Sequence, residues 1–108
     1  MAELGDALAR LEATIAARKG ADPASSYTAK LLAGGPAAPA KKLGEEAIET
    51  VIAAVQGDAD ALAAESADLL YHWLVLLAAA GVSTDAVAAK LAAREGRSGL
   101  DEKASRPA

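Results

Sequence analysis

The sequence lacks cysteine and phenylalanine, which limits both its chemistry and its core. Its 108 residues also contain only one tryptophan, two tyrosines and one histidine. The absence of cysteine excludes disulfides, thiolate metal sites and cysteine nucleophiles. Alanine supplies 31 of the residues, so few large apolar side chains remain. Because a domain of this size buries only about two-thirds of its unfolded surface, we expect one small domain with an apolar face covered by a second copy of the chain.

Positive charge is also scarce. Eleven lysines and arginines stand against 15 acidic residues, for a formal net charge of −4. Nucleic acids and anionic membranes are held largely by clustered basic side chains, so we expect neither as a partner. The longest apolar run, residues 69–82, contains His72 and is shorter than the roughly 20 residues of a membrane span. With no leader predicted, the expected location is the cytoplasm.

Helix signals cover most of the chain, and no segment shows the alternation of a β-strand. The predicted helices begin at Leu4, Tyr27, residues 37–40, residues 58–60 and Ser83, and end near Gly20, Ala33, Gly57, Gly81 and Gly96. The second half of the fourth helix is apolar nearly all round, which predicts burial in a bundle or a subunit interface. The predicted fold is an all-α bundle of four to five helices over residues 1–96, completed by dimerisation. We expect residues 97–108 to form a polar tail that is loose unless a partner orders it.

Two pairs of acidic residues lie inside otherwise apolar helices. Glu46 and Glu49 are separated by about 60° around their helix, and Glu65 and Asp68 repeat this spacing on the next one. If residues 56–60 fold the two helices antiparallel, the four carboxylates face one another. Their repulsion then calls for a cation, and Mg²⁺ prefers carboxylate oxygens. The alternative interpretation is a solvated acidic helix face.

Other metal and phosphate sites fit the sequence less well. Zinc and copper sites use the cysteine and histidine side chains that are scarce here. The di-iron bundle pattern needs a glutamate three residues before histidine, but Leu69 stands at that position before His72. The break at Gly34 and Gly35 lacks the Gly-Lys-Ser/Thr sequence of a P-loop.

Three segments together resemble the phosphoribosyl-ATP pyrophosphatase family of histidine biosynthesis. They are Ser26-Tyr27-Thr28, Gly44-Glu45-Glu46-Ala47-Ile48-Glu49 and Glu65-Ser66-Ala67-Asp68-Leu69-Leu70-Tyr71-His72. The resemblance spans about residues 4–95 and places the chain among the all-α MazG-type nucleotide pyrophosphatases. It implies Mg²⁺-dependent hydrolysis of the α–β phosphoanhydride of phosphoribosyl-ATP, which gives phosphoribosyl-AMP and pyrophosphate. It further implies that the metal ligands are Glu46, Glu49, Glu65 and Asp68, and we expect Glu45 or Glu46 to act as the general base.

The substrate polyphosphate also needs cationic contacts. Lys41 and Lys42 lie one turn before the first acidic pair and Lys30 lies on the short second helix, so we expect these lysines to bind phosphate. Their alternative role is solvated surface charge. The family usually has another basic residue in the segment before Lys41, where this chain has Ala37, Ala38 and Ala40.

Two further groups have both a structural and a functional interpretation. Ser26, Tyr27 and Thr28 can cap and pack the short helix, while the resemblance favours substrate binding by this loop. His72 lies one turn after Asp68 and is either a core histidine or a group behind the metal ligands, hydrogen-bonded to one of their carboxylates.

Two other functions compete with the phosphoribosyl-ATP pyrophosphatase. One is a general pyrophosphatase that removes non-standard nucleoside triphosphates. The other is a non-enzymatic helical adaptor whose acidic face binds a partner. Turnover of free triphosphates separates the first from the family's reaction, and a Mg²⁺-dependent thermal shift separates both enzymes from the adaptor.

Overall fold

The computed structural model describes residues 3–97 and 99–107, which form α-helices and no strand. The helices are α1 (Leu4–Arg18), α2 (Tyr27–Ala33), α3 (Ala37–Val55), α4 (Ala59–Ala80), α5 (Thr84–Ala92) and α6 (Gly99–Ser105). The all-α prediction is therefore confirmed, and the first four helices begin and end within about two residues of their predicted limits.

Side-chain caps set several helix starts. The side chains of Ser26, Asp58 and Ser83 each accept a hydrogen bond from the backbone N–H three residues further on. Such caps satisfy one of the N–H groups that a helix start leaves unpaired. At the other end of α4, Gly81 has a φ of 71°, the left-handed conformation that commonly ends a helix.

The pair formed by α3 and α4 is the frame of the molecule. Gly57 connects them with a φ of 73°, which favours glycine, and the two helices then pack antiparallel. Helices α1 and α2 pack against α4, and α2 also touches α3. The acidic pairs predicted to face one another thus lie on the two most closely packed helices.

A small apolar core joins α1, α2 and α4. Its buried centre consists of Ile15, Leu31, Leu74 and Val75. Partly buried side chains surround this centre: Leu8, Leu11, Leu32, Tyr71, Trp73 and Ala78. The small size of the core follows from the alanine-rich composition, because an alanine side chain removes little apolar surface from water.

The single chain does not bury α4 on every side. Only His72, Leu74 and Val75 of this helix are buried. By length and composition alone α4 is apolar enough to cross a membrane, a test that core helices of soluble proteins also pass. Here the helix carries Glu65 and Asp68 and packs against three other helices.

The chain after α5 differs from the expectation of a loose tail. Helix α5 ends at Ala92, before the predicted limit at Gly96, and α6 forms within residues 97–108. Lys103 lies in the last turn of α6, where a positive charge is favourable to the helix dipole.

The core assignment predicts the cost of truncating α4. Leu74 is 3% exposed and Leu100 on α6 is 81% exposed. We expect Leu74→Ala to lower the free energy of unfolding by about 2–5 kcal/mol, because it leaves a cavity. Leu100→Ala, the matched control, should change it by less than about 0.5 kcal/mol. Urea denaturation measures both, and equal effects would contradict the assignment.

Candidate active site

Three carboxyl groups from α3 and α4 converge in the structure. Glu46 and Glu49 lie one turn apart on α3, and Glu65 lies opposite them on α4. One carboxylate oxygen from each of the three lies within 4.8 Å of the others. Oxygens at this separation are close enough to bind a single cation. We call these three residues the acidic cluster.

Two oxygens of the acidic cluster are buried without a partner. Glu46 Oε2 and Glu65 Oε2 have no hydrogen bond among the described residues and almost no contact with solvent. A buried carboxylate oxygen without a partner is costly, so such atoms are uncommon unless an ion, a water or a proton satisfies them. This donor set of oxygens alone fits a hard divalent cation such as Mg²⁺.

Hydrogen bonding within the cluster, burial and charge repulsion together raise the pKa values of Glu46 and Glu65. Hydrogen bonding first with Glu49 and then with Glu46 raises the pKa of Glu65 to about 7. Burial is the main cause that raises the pKa of Glu46, and the charges of Glu49 and Asp68 add to it. Without a cation, the cluster therefore retains a shared proton up to near neutral pH.

Asp68 lies beside the cluster rather than within it. Its charge acts on Glu46, but its carboxylate is outside the group of mutually close oxygens and is exposed. Three of the four carboxylates that were expected to face one another therefore do so. A metal-binding role for Asp68 stays a prediction.

Glu45 points away from the acidic cluster, towards Lys42. The Lys42 Nζ and Glu45 Oε2 atoms are 3.4 Å apart, in a pair that is nearly half exposed. Glu45 is the first cause that raises the pKa of Lys42. The separation from Glu46 follows from the turn of about 100° between adjacent helical residues.

The other predicted lysines remain at the surface. Lys41 on α3 and Lys30 on α2 are exposed. Lys30 lines an open cleft of about 580 Å³ together with residues 23–27. This cleft includes Ser26 and Tyr27, so it gathers part of the predicted substrate-binding set. Substrate binding by these residues stays a prediction.

The segment 26–28 is tied to α4 by two hydrogen bonds between side chains. The Tyr27 hydroxyl lies 3.1 Å from His72 Nε2, and the Thr28 hydroxyl lies 2.5 Å from the Tyr71 hydroxyl. The Ser26 hydroxyl is occupied as the cap of α2. The start of α2 therefore lies next to α4, the helix that carries Glu65.

His72 is buried, and both of its ring nitrogens have partners. Its Nδ1 atom lies 2.8 Å from the backbone oxygen of Asp68, and its Nε2 faces Tyr27. Of the two alternatives for His72, the structure has the buried core histidine, because the imidazole reaches back one helical turn to the main chain and not to a carboxylate of the acidic cluster. His72 instead joins the backbone beside Asp68 to the 26–28 segment.

The sequence predicts burial of Tyr71, within the apolar second half of α4, but not its contact with residues 26–28. Its hydroxyl holds Thr28 and its ring stacks on Tyr27, with ring centroids 6.3 Å apart. The position of Tyr71 next to His72 on an apolar helix could have indicated this contact, because the hydroxyl of a buried tyrosine usually hydrogen-bonds to a polar partner.

A second cavity lies away from the acidic cluster. It has a volume of about 350 Å³ and lies between α1, α4 and α5, with Leu8, Trp73 and Leu91 among its mostly apolar lining. None of the three clustered glutamates lines it. The catalytic candidates are therefore on the open α3–α4 surface and not in this cavity.

Comparison with known proteins identifies relatives over nearly the whole chain. The family model described as "Phosphoribosyl-ATP pyrophosphohydrolase" matches residues 8–95. A protein of Caulobacter sp. (strain K31) named phosphoribosyl-ATP pyrophosphatase is 72% identical, with 99% of each chain covered. Proteins of the same name from Caulobacter vibrioides (strain NA1000 / CB15N) and Parvibaculum lavamentivorans are 74% and 64% identical, over 95% and 98% of this chain and 95% and 97% of their own lengths.

The raised pKa of Glu65 predicts how stability depends on pH. In the folded protein this pKa is about 7, against an ordinary value of 4.5. The protonated group therefore favours folding below about pH 4.5, and this contribution disappears as the pH rises through about 7. In the presence of a chelator, we expect the melting temperature to fall between about pH 5 and pH 8. Differential scanning calorimetry at a series of pH values measures this melting temperature.

A matched pair of variants isolates the acidic cluster as the cause. Glu65→Gln resembles the protonated acid, so it should flatten the decline, whereas Glu95→Gln on the exposed surface should keep it. If the acidic cluster holds Mg²⁺, added Mg²⁺ should raise the melting temperature of the wild type most at the alkaline end, because a ligand of the folded state alone stabilises that state. An undiminished decline in Glu65→Gln would show that other groups cause it.

Proposed function

The chain belongs to the phosphoribosyl-ATP pyrophosphohydrolase family, and we propose that its acidic cluster binds Mg²⁺ and hydrolyses the α–β phosphoanhydride of phosphoribosyl-ATP. The products are phosphoribosyl-AMP and pyrophosphate, in the second step of histidine biosynthesis. The chain is thus a hydrolase, and the adaptor alternative is set aside. The observation that carries the site assignment is the convergence of Glu46, Glu49 and Glu65.

The cation site is proposed on the residues themselves. Glu46, Glu49 and Glu65 supply only oxygen atoms, two of which are buried and unpartnered. Asp68 is close enough to influence Glu46 and completes the proposed set. When bound, Mg²⁺ supplies positive charge against the phosphate oxygens and lowers the pKa of a coordinated water.

Glu45 is our proposed general base. It adjoins Glu46 but lies outside the acidic cluster, so its carboxylate is not needed to hold the cation. Its exposure gives it access to a water, and the Lys42 ammonium lies 3.4 Å from its carboxylate. Glu46 is the other candidate, but its buried, unpartnered oxygen favours a role as a metal ligand.

The lysines are proposed to hold the substrate phosphates. Lys42 lies one turn before Glu46 on α3, and its pair with Glu45 leaves further ammonium protons available. Lys30 on α2 is part of the open cleft beside Tyr27. Lys41 is exposed on the same turn as Lys42 and adds positive charge there. Positive charge near the cluster attracts the polyphosphate and offsets charge that develops as the anhydride bond breaks.

We also propose that the active form is a homodimer in the cytoplasm, bound to neither membrane nor nucleic acid. Four apolar side chains on α3, at spacings of three and four residues, are between 48% and 83% exposed: Ile48, Val51, Ile52 and Val55. Large apolar side chains aligned on one helix face are typical of a protein interface. We call this face the α3 stripe and propose that a second copy covers it.

The metal-ligand and base assignments predict different kinetic defects. Glu46→Gln should abolish pyrophosphate release from phosphoribosyl-ATP and weaken Mg²⁺ binding, because it removes a ligand charge. Glu45→Gln should lower kcat by about 10²- to 10⁴-fold with Mg²⁺ affinity nearly unchanged, as expected for a lost general base. Coupled pyrophosphate detection and isothermal titration calorimetry measure the two quantities.

Controls for this pair are available on the chain. Glu95→Gln makes the same chemical change at an exposed position outside the site and should retain activity. Full activity of Glu46→Gln would refute the ligand assignment. A Glu45→Gln variant that loses Mg²⁺ affinity as strongly as activity would place Glu45 among the ligands instead.

The α3 stripe predicts a concentration-dependent dimer. Val51→Lys should shift the sedimentation mass at micromolar concentration from two chains to one, because a lysine in the interface must lose its hydration. Leu100→Lys introduces the same charge at an exposed apolar position on α6 and should leave the dimer intact. A wild type that sediments as a single chain would contradict the proposal.

A further inference from the structure

The open cleft beside α2 can bind a negatively charged group of a different kind from those that bind a metal site. It has a volume of about 580 Å³ and is lined by residues 23–27 and Lys30, and we call it the α2 cleft. Its lining contains no carboxylate, in contrast to the acidic cluster. The Lys30 ammonium forms no ion pair with any residue that the structure describes. The α2 cleft therefore offers a positive charge to a ligand.

The hydroxyl groups beside Lys30 differ in what they can donate. The Ser26 hydroxyl accepts a hydrogen bond from the Ala29 backbone N–H, so its own proton stays available. The Ser25 hydroxyl instead donates its proton to the Asp22 backbone oxygen, 3.1 Å away. Lys30 and Ser26 can thus both donate to a ligand. This pair suits the oxygens of an ionised phosphate, which only accept hydrogen bonds.

The absence of carboxylates from its lining makes the α2 cleft unsuited to a divalent cation. A polyphosphate binds to proteins with Mg²⁺, so it fits the acidic cluster, which is proposed to hold that ion, better than this cleft. A single phosphate needs no metal ion where an ammonium group and a hydroxyl group are available. The chemistry of the lining therefore favours a phosphate monoester.

Two hydrogen bonds hold the α2 cleft against α4. The Tyr27 hydroxyl lies 3.1 Å from Nε2 of the buried His72. The Thr28 hydroxyl lies 2.5 Å from the Tyr71 hydroxyl. Because His72 Nδ1 faces the backbone oxygen of Asp68, which only accepts, Nδ1 carries the proton of the neutral ring. Nε2 then accepts the Tyr27 proton, and the Tyr27 side of the cleft is fixed to α4.

Helix α4 determines how far the α2 cleft lies from the acidic cluster. Glu65 and His72 are seven residues apart on this unbroken helix. Their spacing corresponds to about 10 Å along the helix axis and about 20° around it. Since Glu65 belongs to the acidic cluster and His72 holds one side of the cleft, the two sites lie on the same side of α4, about two helical turns apart. A ligand that uses both must carry negatively charged groups on two separate arms.

We propose that the α2 cleft binds the phosphate of the phosphoribosyl group of the substrate. Phosphoribosyl-ATP carries phosphate on two arms, the triphosphate of its ATP part and the single phosphate of its phosphoribosyl group, with the adenine between them. The triphosphate lies with Mg²⁺ at the acidic cluster, and Lys30 and Ser26 bind the other phosphate. Lys30 thereby selects phosphoribosyl-ATP over ATP and other free triphosphates. This inference rests on the proposed function for the identity of the substrate.

Phosphoribosyl-AMP and AMP differ only in the phosphoribosyl arm, so their affinities isolate the α2 cleft. With Mg²⁺ present, we expect the wild type to bind phosphoribosyl-AMP roughly 10- to 100-fold more tightly than AMP, as for one charged hydrogen-bonded contact. Lys30→Met should lose most of this difference, with the affinity for AMP unchanged. Isothermal titration calorimetry measures the dissociation constants and requires no turnover.

Two other lysine variants serve as controls. Lys42 lies one turn before Glu46 on α3, beside the site of the phosphate that both ligands share, so Lys42→Met should weaken both by a similar factor. Lys90→Met makes the same change at an exposed position on α5 and should alter neither affinity. The inference is overturned if the wild type binds both ligands equally. It is also overturned if Lys30→Met keeps the full difference or weakens both ligands alike.

Tyr71→Phe tests whether the hydrogen bonds to α4 position the α2 cleft. It removes the hydroxyl that holds Thr28 and keeps the aromatic ring. We expect phosphoribosyl-AMP binding to weaken by about three- to tenfold, with AMP binding unchanged and no further effect in a Lys30→Met background. Thr28→Val breaks the same hydrogen bond and should reproduce these results. A lower melting temperature with an unchanged difference between the two ligands would overturn the positioning role.

Failure of the proposed function gives a different result from failure of this inference. If the wild type releases no pyrophosphate from phosphoribosyl-ATP, the assigned reaction is wrong. If Lys30→Met still removes a preference for phosphoribosyl-AMP in that case, the assignment of the α2 cleft stands. If pyrophosphate is released but phosphoribosyl-AMP binds no more tightly than AMP, the reaction stands and the assignment of the α2 cleft is overturned.

Discussion

Repulsion among three carboxylates held between α3 and α4 is the interaction on which the rest of the structure depends. Glu46, Glu49 and Glu65 are brought together by the packing of the two helices around the turn at Gly57. Left alone, the cluster keeps a proton and leaves buried oxygens without partners. The fold thus maintains an unfavourable concentration of charge, which the proposed divalent cation would neutralise. A cation held in this way can stabilise the negative charge on a phosphoanhydride during its hydrolysis.

The helices outside this pair position groups around the cluster. Helix α2 is short, but the Tyr27–His72 and Thr28–Tyr71 hydrogen bonds fix its start against α4. Helix α1 supplies Ile15 to the core that holds α4 in place. Because the core is small, polar contacts between helices carry more of the specificity of packing than they do in a protein rich in large apolar side chains.

Much of this could be predicted from the sequence, because the relevant signals are local. Glycines and capping residues mark the ends of α2, α3 and α4. A tight turn between two antiparallel helices places residues at equal distances from the turn opposite one another. The partner of His72 could not be predicted, since reaching the Asp68 carbonyl depends on a side-chain rotamer. The side-chain direction of Glu45 and the separation of Asp68 from the cluster likewise depend on three-dimensional packing. Helix α6 was not predicted because the helix propensity of its sequence is weak.

Paramagnetic broadening by Mn²⁺ is the most direct test of the acidic cluster as a cation site. A substoichiometric addition of Mn²⁺ to ¹⁵N-labelled protein should broaden backbone amide resonances around Glu46, Glu49 and Glu65 before any others, and excess Mg²⁺ should reverse the effect. Broadening spread evenly over the exposed acidic residues, with no centre between α3 and α4, would contradict the account.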